Sequence, residues 1–467
     1  MTYTKTVKTG VIISCALVLS ACSSVPKDGG VSRVADILQF VDNELVLPGT
    51  DTAELMSPVD VAAALGEPLS LRVAEQMSVD NNPIAKSMLA NVGIAEADYA
   101  QAGRMENPGI SYERFSANDN ARSYLFDIGG VLLMPLKRQV EARRLESAQY
   151  DAAIEVLTHV SETRQSWINA VAEKQQTALI TRALESVEAS NNLTRQMAAL
   201  GHSSVVDAAR SELLLGEFQT ALIRQRLAEN SAKEALIRQL GLWGEQVRAL
   251  TLPEDLPPLP RQPIEFPAVE QRAIEKRLDV QLAKLSLEGM AKNLKLTQFN
   301  PFFSALELGS VREQTEGEKE RGYEIELRLP IFDTGSIQNE KARIIFEQAQ
   351  ARAEVTAIAA ASSSREALAG YQSAWEIARH LENEMLPLRA RISAEQLLQY
   401  NGMLISVFDL LKDLQSATSM ESEYVNAVRT FWLADNHLQS VLTGTRNSGA
   451  SIVNMSKMPG SDVEQGH

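Results

Sequence analysis

The chain is 467 residues long, 45% hydrophobic but only 5% aromatic, and carries a formal net charge of -15. That length allows two or three ordinary domains, and the acidic balance, with no basic cluster to offset it, excludes a nucleic-acid partner whose phosphates it would repel. With so few aromatics the apolar content is mostly Ala, Leu, Val and Ile, which suits long helices packed closely through small side chains.

Lys5 and Lys8 stand ahead of the apolar run GVIISCALVLSAC. A transmembrane helix needs about 20 such residues; this run is shorter and has the pattern of a signal peptide, assigned to residues 1–21. It ends in Leu19-Ser20-Ala21-Cys22, which resembles the lipobox of bacterial lipoproteins. The resemblance implies cleavage before Cys22, acylation of that residue and a lipid-anchored N-terminal segment over residues 22–66. Ser23, rather than Asp, after the cysteine implies export to the outer membrane. Loss of Lys5 and Lys8 would take the net charge from -15 to -17, and loss of Cys15 would leave one cysteine, so no internal disulfide is expected. Beyond Cys22 no apolar run is long enough to span a bilayer as a helix. Any membrane crossing must then be a closed β-barrel, because lipid satisfies no backbone group.

A repeat follows. Residues 67–250 form a first copy and 268–443 a second, with Asn107-Pro108 matching Asn300-Pro301 and Pro135 matching Pro330. Each copy reads helix, two strands, long helix, turn, helix. The strands alternate with period 2: Ile110 and Tyr112 against Ser111 and Glu113; Tyr124, Phe126 and Ile128 against Asp127 and Gly129; Leu306 and Leu308 against Glu307; Tyr323, Ile325, Leu327 and Leu329 against Glu324, Glu326 and Arg328. Pro135, Pro330 and Gly335 read as the points where strand gives way to helix. The long helices are expected over Lys137–Ala199 and Ile337–Tyr400, each about 95 Å, with Pro387 bending or breaking the second. LGHSSVVDAARSELL matches NGMLISVFDLLKDLQ and makes Gly201 and Gly402 the tips of two helix turns. Between the copies, residues 251–267 hold six of the seventeen prolines and read as a stiff extended linker. Residues 444–467, polar and rich in Gly and Ser, are expected to be disordered.

Four strands cannot close a membrane barrel, whose smallest members have about eight, so several chains must share one. The lipobox, the doubled NP-strand-turn-strand-P unit, the Ala-rich helices and the YNGMLISVFDLL turn resemble the TolC-type outer-membrane efflux factors, in particular the lipoprotein members serving resistance-nodulation-division pumps. The resemblance implies a mainly α fold with a small transmembrane β part, and a homotrimer forming a 12-stranded β-barrel in the outer membrane and a 12-helix α-barrel tunnel. It implies a periplasmic adaptor and an inner-membrane pump as partners, contact with outer-membrane lipids, and passive exit of drugs, metal ions or other small molecules. With the apolar strand face toward lipid, Glu113, Asp127, Glu307, Glu324 and Glu326 would line the lumen with Arg328 and favour cations. Some family members narrow the periplasmic entrance with aspartates three apart. Asp409 matches the first such position, but Lys412 takes the second, with Asp413 beside it; Asp207 and Arg210 are the first-copy equivalents. Acid and base at that spacing can pair with each other, so the gate is expected to close by ion pairs.

Nothing in the sequence points to an enzyme, a cofactor or a metal site. His159, His202, His380, His437 and His467 are scattered without metal-ligand spacing, and phosphate-binding motifs are absent. Met455 and Met458 read as tail residues, and Trp375 and Trp432 as packing or interface residues. A type I protein-secretion conduit, or a periplasmic coiled-coil lipoprotein without a pore, are the competing readings; the second leaves the strand pairs without a purpose.

Overall fold

The computed structural model describes residues 25–41, 45, 47, 58–116, 119–303, 306–315, 318–327 and 336–445; Cys22, Arg328, Pro330, Gly335 and the tail beyond 445 lie outside them. In chain order the elements are α1 (Val31–Val41), α2 (Pro58–Ala64), α3 (Leu71–Asn81), α4 (Pro83–Ala102), β1 (Gly109–Arg114), β2 (Asn120–Asp127), α5 (Ile128–Ala199) and α6 (Val205–Leu240). Then come α7 (Glu245–Ala249), α8 (Val269–Lys276), α9 (Leu278–Phe303), β3 (Leu306–Thr315), β4 (Glu318–Leu327), α10 (Ser336–His380), a π-helical turn (Leu381–Met385), α11 (Leu386–Asn401) and α12 (Val407–Thr443). Among the described residues no helix is long and apolar enough to cross a membrane. By contact the chain forms two compact units, residues 1–40, 87–153 and 278–358, and residues 41–86, 154–277 and 359–467.

The first unit holds a four-stranded sheet in the order β1-β2-β3-β4. All its pairings are antiparallel, with Tyr112 opposite Arg122, Arg122 opposite Arg312, and Arg312 opposite Arg321. Two hairpins therefore join through β2 and β3, and among the described residues no strand pairs with the outer edges of β1 and β4. Two junctions differ from expectation. Helix α5 starts at Ile128 instead of Lys137, so VLLMPLKRQ is helical and Pro135 lies inside the helix. The reason is local: the Asp127 carboxylate accepts the Gly130 N–H at 2.7 Å and caps the first turn. Gly at 130 leaves room for this cap, because a Cβ there would overlap the Asp127 carboxylate and force it to move. The second difference concerns the NP pairs. Asn107-Pro108 precede β1, whereas Asn300-Pro301 lie within α9.

The second unit carries a large core. Trp167, Ile168 and Val171 of α5, Tyr371 of α10, and Phe431 and Leu438 of α12 pack with Leu69, Leu236 and Leu240. The Tyr371 and Phe431 rings meet tilted at 5.4 Å, and Trp432 meets Phe431 edge-on at 5.1 Å. The proline-rich stretch is part of this core, not a bare linker, since it buries Leu252, Leu256 and Leu259. Proline supplies no N–H and the extended strap has no ladder, so its carbonyls need other donors. The Trp432 and Trp375 indoles provide them, to Pro257 and Pro260 at 2.9 Å each, and the Ile264 N–H donates to the Tyr371 hydroxyl at 3.1 Å. A similar logic ends α6: the Asn81 and Asn82 amides donate to the carbonyls of Leu240, Gly241, Arg238 and Gln239.

Pro387 does not break its helix. The turn before it widens, with Leu386 N–H bonding to Leu381, and α11 continues to Asn401. A π turn of this kind absorbs the hydrogen bond that proline removes.

Candidate functional site

The sequence-nominated residues among those described fall in two features, one in each unit, beginning with the sheet. Residues directly opposite in an antiparallel pair share a face, so the register sorts every side chain. One face holds Ile110, Tyr112, Tyr124, Phe126, Leu308, Tyr323 and Ile325, all exposed large apolar or aromatic groups, with Tyr323 at 92%. The other face holds Glu113, Asp127, Glu307, Glu313, Glu318, Glu320 and Glu324; Glu326 takes the register position opposite Glu307. The structure therefore groups the sequence-nominated acids on one face and adds Glu313, Glu318 and Glu320 to them. Asp127 differs from the rest in being spent as a helix cap.

Exposure along β2 alternates, with the apolar face open and the acidic face partly covered. Small residues permit the close packing on that covered side. A Cβ at Gly309 would meet Glu324 Cβ at 3.2 Å and Leu125 Cδ2 at 3.3 Å. Ser111 and Ser123 hydrogen-bond across it at 2.8 Å.

The helix turns of the second unit are built alike. After α5, Gly201 adopts φ +76, with the His202 N–H bonding to Met197 and the Gly201 N–H to Ala198. After α11, the Leu404 N–H bonds to Gln399 and the Met403 N–H to Tyr400. The residue in the left-handed position of that second turn is Met403, φ +56, while Gly402 has an ordinary φ of -78. Gly201 and Gly402 are thus one place out of register as tips. The correct spacing is 202, the same that relates Ser204 to Ser406 and Asp207 to Asp409.

That spacing also explains the aspartates. Ser204 and Ser406 cap α6 and α12, their hydroxyls accepting the N–H of Asp207 and Asp409 at 3.1 and 3.3 Å. Each hydroxyl in turn donates to its aspartate at 2.7 Å, and Asp409 completes a capping box by accepting the Ser406 N–H at 3.0 Å. These bonds from Ser406, with a smaller effect from Lys412, hold the Asp409 carboxyl below its usual value. Arg210 reaches Asp207 at 3.9 Å, a loose exposed contact. Asp413 is different. It is buried and ion-paired to Arg389 of α11, which also donates to the Asp413 carbonyl at 3.0 Å. Sequence reasoning missed Arg389, because its partner lies 24 residues away across a helix turn. Around the turns Leu200, Val205, Val206, Met403 and Leu404 are exposed, Met403 at 93%.

No family model matches the chain. Among curated proteins it is similar to the "Pyoverdine export outer membrane protein OpmQ" of Pseudomonas aeruginosa, 24% identical over 367 residues that take in 72% of this chain and 75% of that protein. Among solved structures it is similar to CusC, whose structure concerns folding and transmembrane channel formation, with a TM-score of 0.67 at 16% identity over 81% of this chain and 92% of that one. The Campylobacter jejuni CmeC outer membrane channel gives a TM-score of 0.68 at 16% identity over 81% and 87%. VceC of Vibrio cholerae gives 0.65 at 15% identity over 80% and 96%. The chain has the fold of these channels.

Proposed function

We propose that this protein is the outer-membrane exit duct of a tripartite efflux system, a passive channel for small molecules handed on by an inner-membrane pump and a periplasmic adaptor. The observation that carries the reading is the two-faced sheet with two open edges. Unpaired edges in lipid cost several kcal/mol per backbone group, and three copies joined edge to edge would close twelve strands around a lumen. The exposed aromatic and aliphatic face then meets lipid, and the carboxylate face, with Glu113, Glu307, Glu313, Glu320 and Glu324, lines the lumen and favours cations. The shared fold and the name of the curated relative support export as the purpose. An acylated Cys22 would anchor the same protein in the outer membrane.

The helix turns are the proposed periplasmic entrance. Their exposed apolar residues suit an adaptor tip, and the buried Arg389–Asp413 pair ties α11 to α12 across the turn, while Asp207–Arg210 and Asp409–Lys412, each three apart on one helix, balance charge at this entrance. The test is reconstitution of the full-length protein in planar bilayers. A trimer by native mass spectrometry with cation-preferring conductance is expected. A monomer without conductance would leave only a periplasmic scaffold, and clear anion selectivity would reverse the face assignment.

A further inference from the structure

The register separates charge on the sheet completely among the described residues. Every carboxylate lies on the face just described, and every cation, Arg114, Arg122, Arg312, Lys319 and Arg321, lies on the apolar face. The cations are also confined to one end. Reading rows across the sheet from the hairpin turns inward, the first is Arg114, Asn120, Gln314 and Lys319, and the second is Tyr112, Arg122, Arg312 and Arg321. The third is Ile110, Tyr124, Ser310 and Tyr323, and the fourth is Phe126, Leu308 and Ile325. Rows are about 7 Å apart, so two polar, basic rows sit directly beyond an aromatic row, which is followed by an apolar one.

Arg122, Arg312 and Arg321 stand abreast on adjacent strands about 4.8 Å apart. Like charges directly opposite destabilise a sheet, and none of the three forms an ion pair with a described residue. Arg122 lies over the Tyr112 ring at 5.4 Å and Arg114 donates to the Ser116 carbonyl at 3.2 Å; neither contact supplies negative charge. Three arginines held together without a counter-charge, next to exposed aromatics, are complementary to an anion at the level where a membrane meets water.

We infer that this basic band binds phosphorylated lipid headgroups of the outer leaflet, the phosphates bridging Arg122, Arg312 and Arg321 with Arg114 and Lys319 beside them. The inference rests on the channel reading, which places the hairpin turns on the outer side and this face against lipid. The occupant is a lipid and not free phosphate, because the apolar rows continue the same face toward the acyl chains.

The test uses the purified full-length trimer and bis-phosphorylated lipid A in phosphatidylcholine vesicles, with retained lipid counted by native mass spectrometry. R122Q/R312Q/R321Q is expected to bind lipid A at least about tenfold more weakly than wild type, while E313Q/E320Q, on the opposite face at the same level, binds unchanged. Dephosphorylated lipid A should be retained no better by wild type than by the arginine variant. Equal retention of lipid A by wild type and a folded arginine variant overturns the inference, as does full displacement by inorganic phosphate. If the arginine variant fails to fold, the wild type decides alone: retention must weaken as ionic strength rises, and salt-independent retention overturns it. Planar-bilayer conductance keeps the two claims apart. Conducting proteins with unchanged lipid retention sink only this inference, whereas absence of conductance in both removes it together with the channel reading.

Discussion

Arg164 and Glu75 form a buried ion pair in the second unit. Glu75 is 3% exposed, accepts from Arg164 Nε at 2.6 Å, and has Arg72 Nη1 at 3.3 Å as a weaker second partner. Replacing Arg164 with Met keeps the aliphatic stem and removes the charge. Breaking a buried pair from one side costs about 3–5 kcal/mol, because the remaining charge stays desolvated. Arg72 is itself 36% exposed and continues to touch Glu75, so the lower end, about 3 kcal/mol, is expected. E75L/R164M removes both charges and should return to within about 1 kcal/mol of wild type, a coupling of at least about 2 kcal/mol. Guanidinium unfolding followed by tryptophan fluorescence is a suitable assay, since Trp167 sits in the same core and donates to the Leu69 carbonyl at 2.8 Å. An R164M midpoint equal to wild type, or a double variant no better than R164M, would refute the reasoning.

The turn register can be checked by two alanines. Gly201→Ala should cost about 1 kcal/mol, because only its positive φ opposes a side chain, whereas Gly402→Ala should change stability by less than about 0.3 kcal/mol; equal effects would restore Gly402 as the tip. Gly241→Ala combines φ +65 with a Cβ 2.9 Å from Asn82 Cα, and thermal unfolding should show a loss of at least about 1 kcal/mol. Burial holds the His159 imidazole, bonded to the Ser78 carbonyl at 3.2 Å, below its usual value, and burial does the same to His437. The unfolded imidazoles take up protons near pH 6.5 and the folded ones do not, so stability should fall as pH drops below about 6.5. H159Q should lose less between pH 7.5 and 5.5 than wild type, and an identical loss would remove His159 from the account.

What the sequence determined by itself was the local grammar. Period-2 alternation marked the strands around Tyr112, Tyr124, Leu308 and Tyr323, and Ala-rich, Gly-poor runs marked the long helices; both patterns follow from which side chains can share a face. Asp207 and Asp409 were read by charge as part of a gate, and only the structure shows each of them bonded to the capping serine three residues earlier. Tertiary structure decided the rest, because it depends on partners distant in the chain. The pairing of β2 with β3 set Arg122 beside Arg312 and Arg321, and no alternation within one strand reveals such a row. Trp375 and Trp432 found the carbonyls of a proline strap more than a hundred residues earlier. The Asp127 cap on Gly130 sits at a helix start seven residues ahead of Pro135. Short-range sterics write secondary structure into the chain, but the satisfaction of buried charges and carbonyls is settled only when the distant pieces meet.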